Sequence, residues 1–131
     1  MKEIAVDWSW DDESGFAQAI EAGRLLFISG QAALDAEGRV IGENDLAVQT
    51  HKCFENMGEL LEKAGLGFKD VTQLTTYFTV DITDPALRRS YWQVRREFFG
   101  SHKPTSTGMR IQALLYPSLM LEVAAIAVRS S

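Results

Sequence analysis

Cysteine, histidine and proline are scarce in this sequence. Its 131 residues include one cysteine, two histidines and three prolines. A lone cysteine excludes an intramolecular disulfide, and the positions of His51, Cys53 and His102 do not match any familiar zinc-site spacing. We therefore expect neither a disulfide framework nor a metal site.

Long apolar runs and an excess of positive charge are also missing. No uninterrupted apolar run approaches the roughly 20 residues that cross a bilayer, and residues 1–4 lack the pattern of a signal peptide. The formal net charge is -5, whereas neutralising phosphates requires a basic surface. We expect a cytoplasmic protein that is not a membrane protein, and we do not expect nucleic acid to be its main partner.

The familiar nucleotide-binding and hydrolase motifs GxGxxG, GxxxxGK[ST] and GxSxG do not occur. Hydrophobic residues make up 46% of the chain and charged residues 24%, which is the balance of an ordinary globular protein. The length suits one compact core. We expect a single domain over residues 1–131.

Two helices are indicated by apolar residues at helical spacing. The first covers residues 46–64, with Asp45 as its N-cap and Gly65 just past its end. The second begins at Asp84-Pro85, a capping residue followed by proline, and ends at Gly100. His51 and Cys53 lie two positions apart on the first helix, so they do not face each other and Cys53 is expected in the core.

Strand patterns surround these helices, at residues 4–8, 16–20, 25–28, 71–82, 105–115 and 119–128. Residues 11–15 and 35–44 read as loops, and Ser29-Gly30-Gln31 reads as a turn that closes the third strand. The last two strands are predicted to form a hairpin around Tyr116-Pro117-Ser118. The order predicts an α+β fold in which two helices pack on one face of a mixed sheet.

The final strand is apolar on both faces. One face carries Leu119, Leu121, Val123, Ala125 and Ala127, and the other carries Met120, Ala124, Ile126 and Val128. Because helices would cover only one side of the sheet, a neighbouring subunit is the simplest cover for the other. We expect a symmetric homo-oligomer with clefts between its subunits.

Glu122 is the one charge in this strand. A carboxylate among apolar neighbours is costly unless it is paired or hydrogen-bonded. Arg110 is its candidate partner, because an odd-length hairpin loop would put Glu122 on the face of Ser106 and Arg110, with the alternate residues from Thr107 to Leu115 in the core. A structural ion pair or a water-exposed carboxylate would fit the same pattern, and the functional alternative is that Glu122 faces a ligand.

Several segments together resemble the RidA (YjgF) family: Phe27-Ile28-Ser29-Gly30-Gln31, Gln49-Thr50, Glu55-Asn56, Pro104-Thr105-Ser106-Thr107 and Glu122-Val123-Ala124-Ala125-Ile126-Ala127. The resemblance covers nearly the whole chain. It implies a chorismate-mutase-like fold and a trimeric, barrel-like assembly. It also implies clefts between subunits in which enamines and imines derived from amino acids are hydrolysed to ketones and ammonia without a cofactor.

The resemblance also implies site residues. The carboxylate that matches Glu122 is thought to position the attacking water, and Ser29 offers a polar contact. Deaminase-active members carry an arginine for the substrate carboxylate where this chain has Ser106, a cysteine at the position of Gly108, and a tyrosine at that of Phe16. We therefore expect a substrate other than the small 2-imino acids.

Two residues are candidates to complete the cleft. Arg110 follows Ser106 by four positions on the same strand face, so we predict that it replaces the missing arginine as an anion clamp. Trp92 is predicted to line the cleft or to stack on a base. Four arginines of the second helix, Arg88, Arg89, Arg95 and Arg96, are interpreted as a solvated face. A non-catalytic trimer that binds a metabolite or RNA is the alternative function.

Overall fold

The fold is organised around a six-stranded mixed sheet, described for residues 1–130 by a computed structural model. Its strands are β1 (Lys2–Glu3), β2 (Ala19–Ala22), β3 (Leu25–Ala32), β4 (Val71–Phe78), β5 (Thr105–Arg110) and β6 (Leu121–Val128). Their spatial order is β1-β2-β3-β6-β4-β5. Every neighbouring pair is antiparallel except β4 and β5, which run parallel. The predicted mixed sheet is confirmed.

Three α-helices accompany the sheet: α1 (Asp11–Ser14), α2 (Leu46–Lys63) and α3 (Pro85–Phe99). The Asp45 carboxylate caps α2 by accepting a hydrogen bond of 3.1 Å from the Val48 amide, and Gly65 follows the helix with a φ of 74°. Asp84 caps α3 ahead of Pro85. The two helices predicted from the sequence are confirmed with their caps.

The Asp45 cap provides a test of this local account. Asp45→Ala removes the acceptor for an otherwise unpaired helix amide, so we expect a loss of about 1 kcal/mol in the free energy of unfolding. Urea denaturation measures it. Glu43→Ala, an exposed carboxylate two positions earlier, is the matched control and should change stability by less than about 0.5 kcal/mol. Equal losses in the two variants would contradict the capping role.

The core lies between the sheet and the two long helices. On β6 the alternate residues Leu121, Val123, Ala125 and Ala127 are buried on this side. Phe54 of α2 is fully buried and packs against Tyr91 and Phe99 of α3, with ring centroids 6.4 and 5.6 Å away. Cys53 is also fully buried, and this burial raises the pKa of its thiol. The placement of both helices on one face and of Cys53 in the core is confirmed.

The predicted terminal hairpin is wrong. β5 pairs only with β4, whereas β6 lies between β3 and β4. Because parallel strands need a crossover connection, β4, α3 and β5 form a βαβ unit. Residues 111–120 then carry the chain back across β4 to the centre of the sheet. β5 becomes a sheet edge whose residues are all exposed, so the predicted core face from Thr107 to Leu115 is also wrong.

The N-terminal elements are displaced from their predicted positions. β1 lies before the predicted strand at 4–8, β2 begins three residues after the predicted start at 16, and the predicted loop at 11–15 contains α1. β3 does not end at Ser29: it runs to Ala32 through an irregularity in its pairing with β6 between Ile28 and Gln31. The glycine there marks a bulge rather than a turn.

The sheet face opposite α2 and α3, here called the open face, is apolar along β3 and β6 apart from Glu122, and polar along β4, where it carries Gln73 and Thr75. Its residues on β3 and β6 are half-buried or exposed: Phe27, Glu122, Ala124, Ile126 and Val128. Phe27 is 42% exposed. Both faces of β6 are therefore apolar, as predicted, although only one is packed within the protomer. None of the helices in residues 1–130 has the length and hydropathy of a bilayer span.

Candidate functional site

Glu122 projects from the open face of β6, opposite Tyr77 of β4 and Ala32 of β3. Burial raises the pKa of its carboxyl group. Its carboxylate lies close to the backbone of Gly30 in β3: a Cβ added to Gly30 would lie 2.2 Å from Glu122 Oε2. The Glu122 carboxylate therefore occupies the space that a side chain at position 30 would fill.

A small cavity of about 50 Å³ opens beside Glu122. We call it the glutamate half-site, and it is lined by Trp10, Phe16, Gly30, Gln31, Ala32, Leu34, Asn56, Leu115, Leu119 and Glu122. The volume is enough for a water molecule but too small for an amino-acid-sized substrate. The buried Gln31 amide is held in place, because its Nε2 donates to Gln18 Oε1 at 2.9 Å and to the Ser29 carbonyl at 3.0 Å.

Ser106 and Gly108 lie on the other side of the sheet. They pair with Leu74 and Thr76 of β4, which face the helices. Together with α3 they form a second cavity of about 220 Å³, the arginine half-site, lined by Thr76, Phe78, Ile82, Arg88, Tyr91, Trp92, Arg95, Ser106 and Gly108. Ser106, Gly108 and Trp92, all predicted to line a cleft, lie together along this cavity.

Hydroxyl groups and one guanidinium form a network inside the arginine half-site. Arg95 Nη1 donates to Ser106 Oγ at 2.8 Å and approaches the Tyr91 hydroxyl at 3.5 Å. The Tyr91 hydroxyl in turn shares a hydrogen bond of 2.6 Å with Thr76 Oγ1. Burial raises the pKa of Tyr91, so its hydroxyl stays protonated at neutral pH. The result is a positive charge held in a fixed position by the strand and the helix.

Arg95 was missed by the sequence analysis, which assigned it to a solvated stripe. The available signal is its position four residues after Tyr91, which places both side chains on the same side of α3. Tyr91 is buried and Arg95 is half-buried, with its guanidinium over the Tyr91 ring at 5.9 Å and the Phe99 ring at 5.8 Å.

Arg110 shares the strand face of Ser106, as predicted, but it lies neither beside Glu122 nor in the arginine half-site. Its Nη1 lies 3.9 Å from Asp81 Oδ1, and both side chains are more than half exposed. It lines a separate concavity with Thr79, Ile111 and Gln112. The predicted pairing with Glu122 is wrong because no hairpin brings the two to one face. The shared face predicted for Glu122 and Ser106 fails for the same reason.

Ser29 has a structural contact. Its Oγ donates a hydrogen bond of 2.7 Å to the Ala17 carbonyl, which ties β3 to the segment that carries Phe16. Phe16 is 51% exposed and lines the glutamate half-site. Within residues 1–130 no group of three or more His, Cys, Asp and Glu side chains is arranged to hold a metal ion.

The two half-sites cannot meet within one protomer. Glu122 on β6 and Ser106 on β5 are separated by β4, which is two strand spacings or about 10 Å. They also point to opposite faces of the sheet. A small ligand that touches both would need the two groups to come from different protomers.

Known proteins are similar to this chain in sequence. The family model described as Endoribonuclease L-PSP matches residues 10–129. A RutC family protein from Pyrococcus horikoshii is 34% identical over 130 residues, which cover 98% of this chain and 99% of that protein. The human protein named 2-iminobutanoate/2-iminopropanoate deaminase is 28% identical over 114 residues, which cover 87% of this chain and 80% of that protein.

Solved structures agree with the sequence relatives. The crystal structure of E. coli TdcF with bound serine matches with a TM-score of 0.85 at 27% identity, covering 99% of this chain and all of that one (100%). The fold is therefore the chorismate-mutase-like fold of that group. On the family model and on these relatives together, the chain belongs to the Endoribonuclease L-PSP family, that is, to the RutC and YjgF proteins.

Proposed function

We propose that this protein is a deaminase that hydrolyses a carboxylated imine or enamine to a 2-oxo acid and ammonia. The observation that carries the proposal is the Glu122 carboxylate, half-buried with a raised pKa beside a cavity of water-molecule size. The name of the human relative, a deaminase of 2-imino acids, supports this reaction class. The serine bound to TdcF supports an amino-acid-like ligand.

The chemistry requires one group that both accepts and donates a proton. Water adds its oxygen to the C=N carbon, the π electrons move to nitrogen, and Glu122 takes the proton that the water loses. That proton passes to the nitrogen and completes a carbinolamine. Glu122 then takes the proton of the new hydroxyl group and returns it to the nitrogen, so the C–N bond breaks and ammonia leaves as the C=O bond forms. An enamine substrate follows the same steps after protonation of its carbon has converted it to an iminium ion. The raised pKa of Glu122 makes its carboxylate a stronger proton acceptor, and the protonated form can return the proton.

The site is proposed to be shared between subunits of a trimer. The glutamate half-site has room for water alone, and the larger arginine half-site lies behind the sheet of the same protomer. Packing the exposed β5 edge of one protomer against the open face of the next would join the two. In this arrangement Phe16, Ser106, Gly108 and Trp92 line the completed cleft, while Ser29 holds the segment that carries Phe16.

An ammonia-release assay tests the function. Imines are generated in solution from a series of amino acids with side chains of increasing length, and ammonia is measured with and without the protein. We expect release above the spontaneous rate for at least one member of the series, without any added cofactor. Release at the spontaneous rate across the whole series would contradict the proposal.

Gly30→Ala tests the role assigned to the β3 bulge. The added methyl group would overlap the Glu122 carboxylate, so we expect the carboxylate to move and ammonia release to fall by about 10- to 100-fold. Because Glu122 already projects from the open face and its side chain can move away from β3, the free energy of unfolding should change by less than about 1.5 kcal/mol. Gly67→Ala, where a Cβ meets no atom within 4 Å, is the control. Full activity in Gly30→Ala would refute this role.

A further inference from the structure

We infer that Arg95, supplied from helix α3, binds the carboxylate of the substrate, and that the substrate carries a sizeable apolar side chain. The inference rests on the proposed function and names the substrate class of that same site. It assigns to Arg95 the role that the sequence analysis gave to Arg110. Four observations on the arginine half-site and its surroundings support it.

Arg95 is a half-buried cation without an anionic partner. Its side-chain contacts are the Ser106 and Tyr91 hydroxyls, and no carboxylate in residues 1–130 lies within 4.0 Å of it. A guanidinium has more N–H donors than these two hydroxyls use. Its remaining donors can bind a carboxylate in the two-pronged geometry that favours arginine.

The surroundings of Arg95 are basic although the chain as a whole is acidic. Arg88 joins it in the arginine half-site, and a neighbouring concavity of about 400 Å³ adds Arg96 and Lys103. Neither concavity has an aspartate or glutamate among the described residues that line it. In a chain with a net charge of -5, this local excess of positive charge attracts an anion.

The guanidinium is held in advance of binding. It donates hydrogen bonds to the Ser106 hydroxyl of β5 and to the Tyr91 hydroxyl of α3. Tyr91 is in turn hydrogen-bonded to Thr76 of β4. An arginine fixed in this way loses little freedom when an anion arrives, which favours binding. Ser106 therefore contributes to the site, because its hydroxyl positions the Arg95 guanidinium that α3 supplies.

The walls of the half-site are apolar and leave space for a side chain. Trp92 is 44% exposed and presents its ring, with Arg88 stacked on it at 5.4 Å. Phe78 and Ile82 extend this apolar wall, and Gly108, which has no side chain, leaves space on the β5 side of the cavity. A few polar groups that fix orientation and a larger apolar surface are the usual features of a small-molecule site. The arginine half-site therefore suits an imine or enamine derived from an amino acid with an aromatic or long aliphatic side chain.

Binding of product-like anions tests the inference without requiring turnover. The probes are 2-oxobutanoate as the short anion and phenylpyruvate as the long one, titrated calorimetrically into the native assembly. We expect wild type to bind phenylpyruvate more tightly than 2-oxobutanoate. Arg95→Gln should weaken phenylpyruvate binding by about 10- to 100-fold, the usual effect of losing hydrogen bonds to a charged group. Equal affinity for the two probes, or a preference for the short one, would overturn the substrate class.

Arg89→Gln is the matched control, because it removes the same charge from an exposed position of the same helix that lines neither concavity. It should change binding by less than about twofold. Equal affinities in Arg95→Gln and Arg89→Gln would overturn the role of Arg95. Should Arg95→Gln fail to fold, Arg95→Lys keeps the charge without the two-pronged geometry and should still weaken binding several-fold; wild-type affinity in that variant would overturn the role as well.

The binding and turnover assays separate the two proposals. Unchanged binding in Arg95→Gln, with ammonia still released, would refute the inference and leave the deaminase proposal intact. Binding that depends on Arg95, with no imine hydrolysed, would refute the deaminase proposal and leave an anion site. Binding that depends on Arg95 together with a raised KM for ammonia release, and a smaller change in kcat, supports both.

Discussion

Glu122→Gln is expected to lower ammonia release by about 100- to 10,000-fold, the range over which a positioned acid–base group contributes. Glutamine has nearly the same shape and can still contact a water molecule, but it cannot take or return a proton. Binding of phenylpyruvate should persist, because the anion contacts lie in the other half-site. The measurement is kcat for the fastest imine of the series, with Glu62→Gln, an exposed glutamate of α2, as the control. Activity in Glu122→Gln equal to that of the control would exclude Glu122 as the base.

The same variant should alter the pH dependence of stability. Burial raises the folded-state pKa of Glu122 above its unfolded value, so the folded protein holds this proton more tightly. The contribution of this group to stability is therefore fully present at low pH and is lost as the pH rises through the folded-state pKa. Urea unfolding from about pH 4 to pH 8 should show a smaller decline for Glu122→Gln than for Glu62→Gln. Parallel profiles would contradict the partly buried position of the carboxyl.

Phe27→Asp is expected to convert the proposed trimer into monomers. The substitution puts a charge in the apolar part of the open face, where Phe27 pairs with Ile126, and burying an unpaired carboxylate against a neighbour costs several kcal/mol. Sedimentation velocity at micromolar concentration should show a trimer for wild type and a monomer for the variant. The variant should also lose ammonia release, because the shared cleft no longer forms.

Val48→Asp is the control for this experiment, because Val48 is 42% exposed, like Phe27, but lies in the first turn of α2, where a carboxylate is well tolerated. It should remain a trimer. A wild-type protein that is monomeric at micromolar concentration would contradict the shared site, since the open face would then be stable in water.

The helices and the two apolar faces of β6 were predictable because their signals are local. Asp45, Gly65 and Asp84-Pro85 mark the helix ends through backbone hydrogen bonding and φ preferences that act within a few residues. Apolar residues on both faces of β6 indicate a strand buried between neighbours. The family resemblance added the arrangement of the whole chain, which the periodicity alone does not give.

Strand pairing was not predictable from the same signals. A hairpin and a βαβ unit both fit two strands near the C-terminus, because the choice depends on which distant strand each one pairs with. The helix between 71–82 and 105–115 was the available indication of a parallel pair. The error propagated to the site, since it put Arg110 beside Glu122 and left Arg95 on a solvated face. The spacing from Tyr91 places Arg95 beside a buried residue, but its contact with Ser106 depends on β5 lying beside β4.

Subunit complementation tests the shared site most directly. Glu122→Gln disables the glutamate half-site, and Gly108→Phe fills the arginine half-site from an edge strand where a Cβ has only ordinary contacts. Each variant alone should be inactive. In trimers reassembled from an equal mixture, about a quarter of the interfaces pair two intact halves, so we predict about a quarter of the wild-type ammonia release. A mixture no more active than the two separate variants would show that both half-sites must belong to one protomer, and would contradict the account.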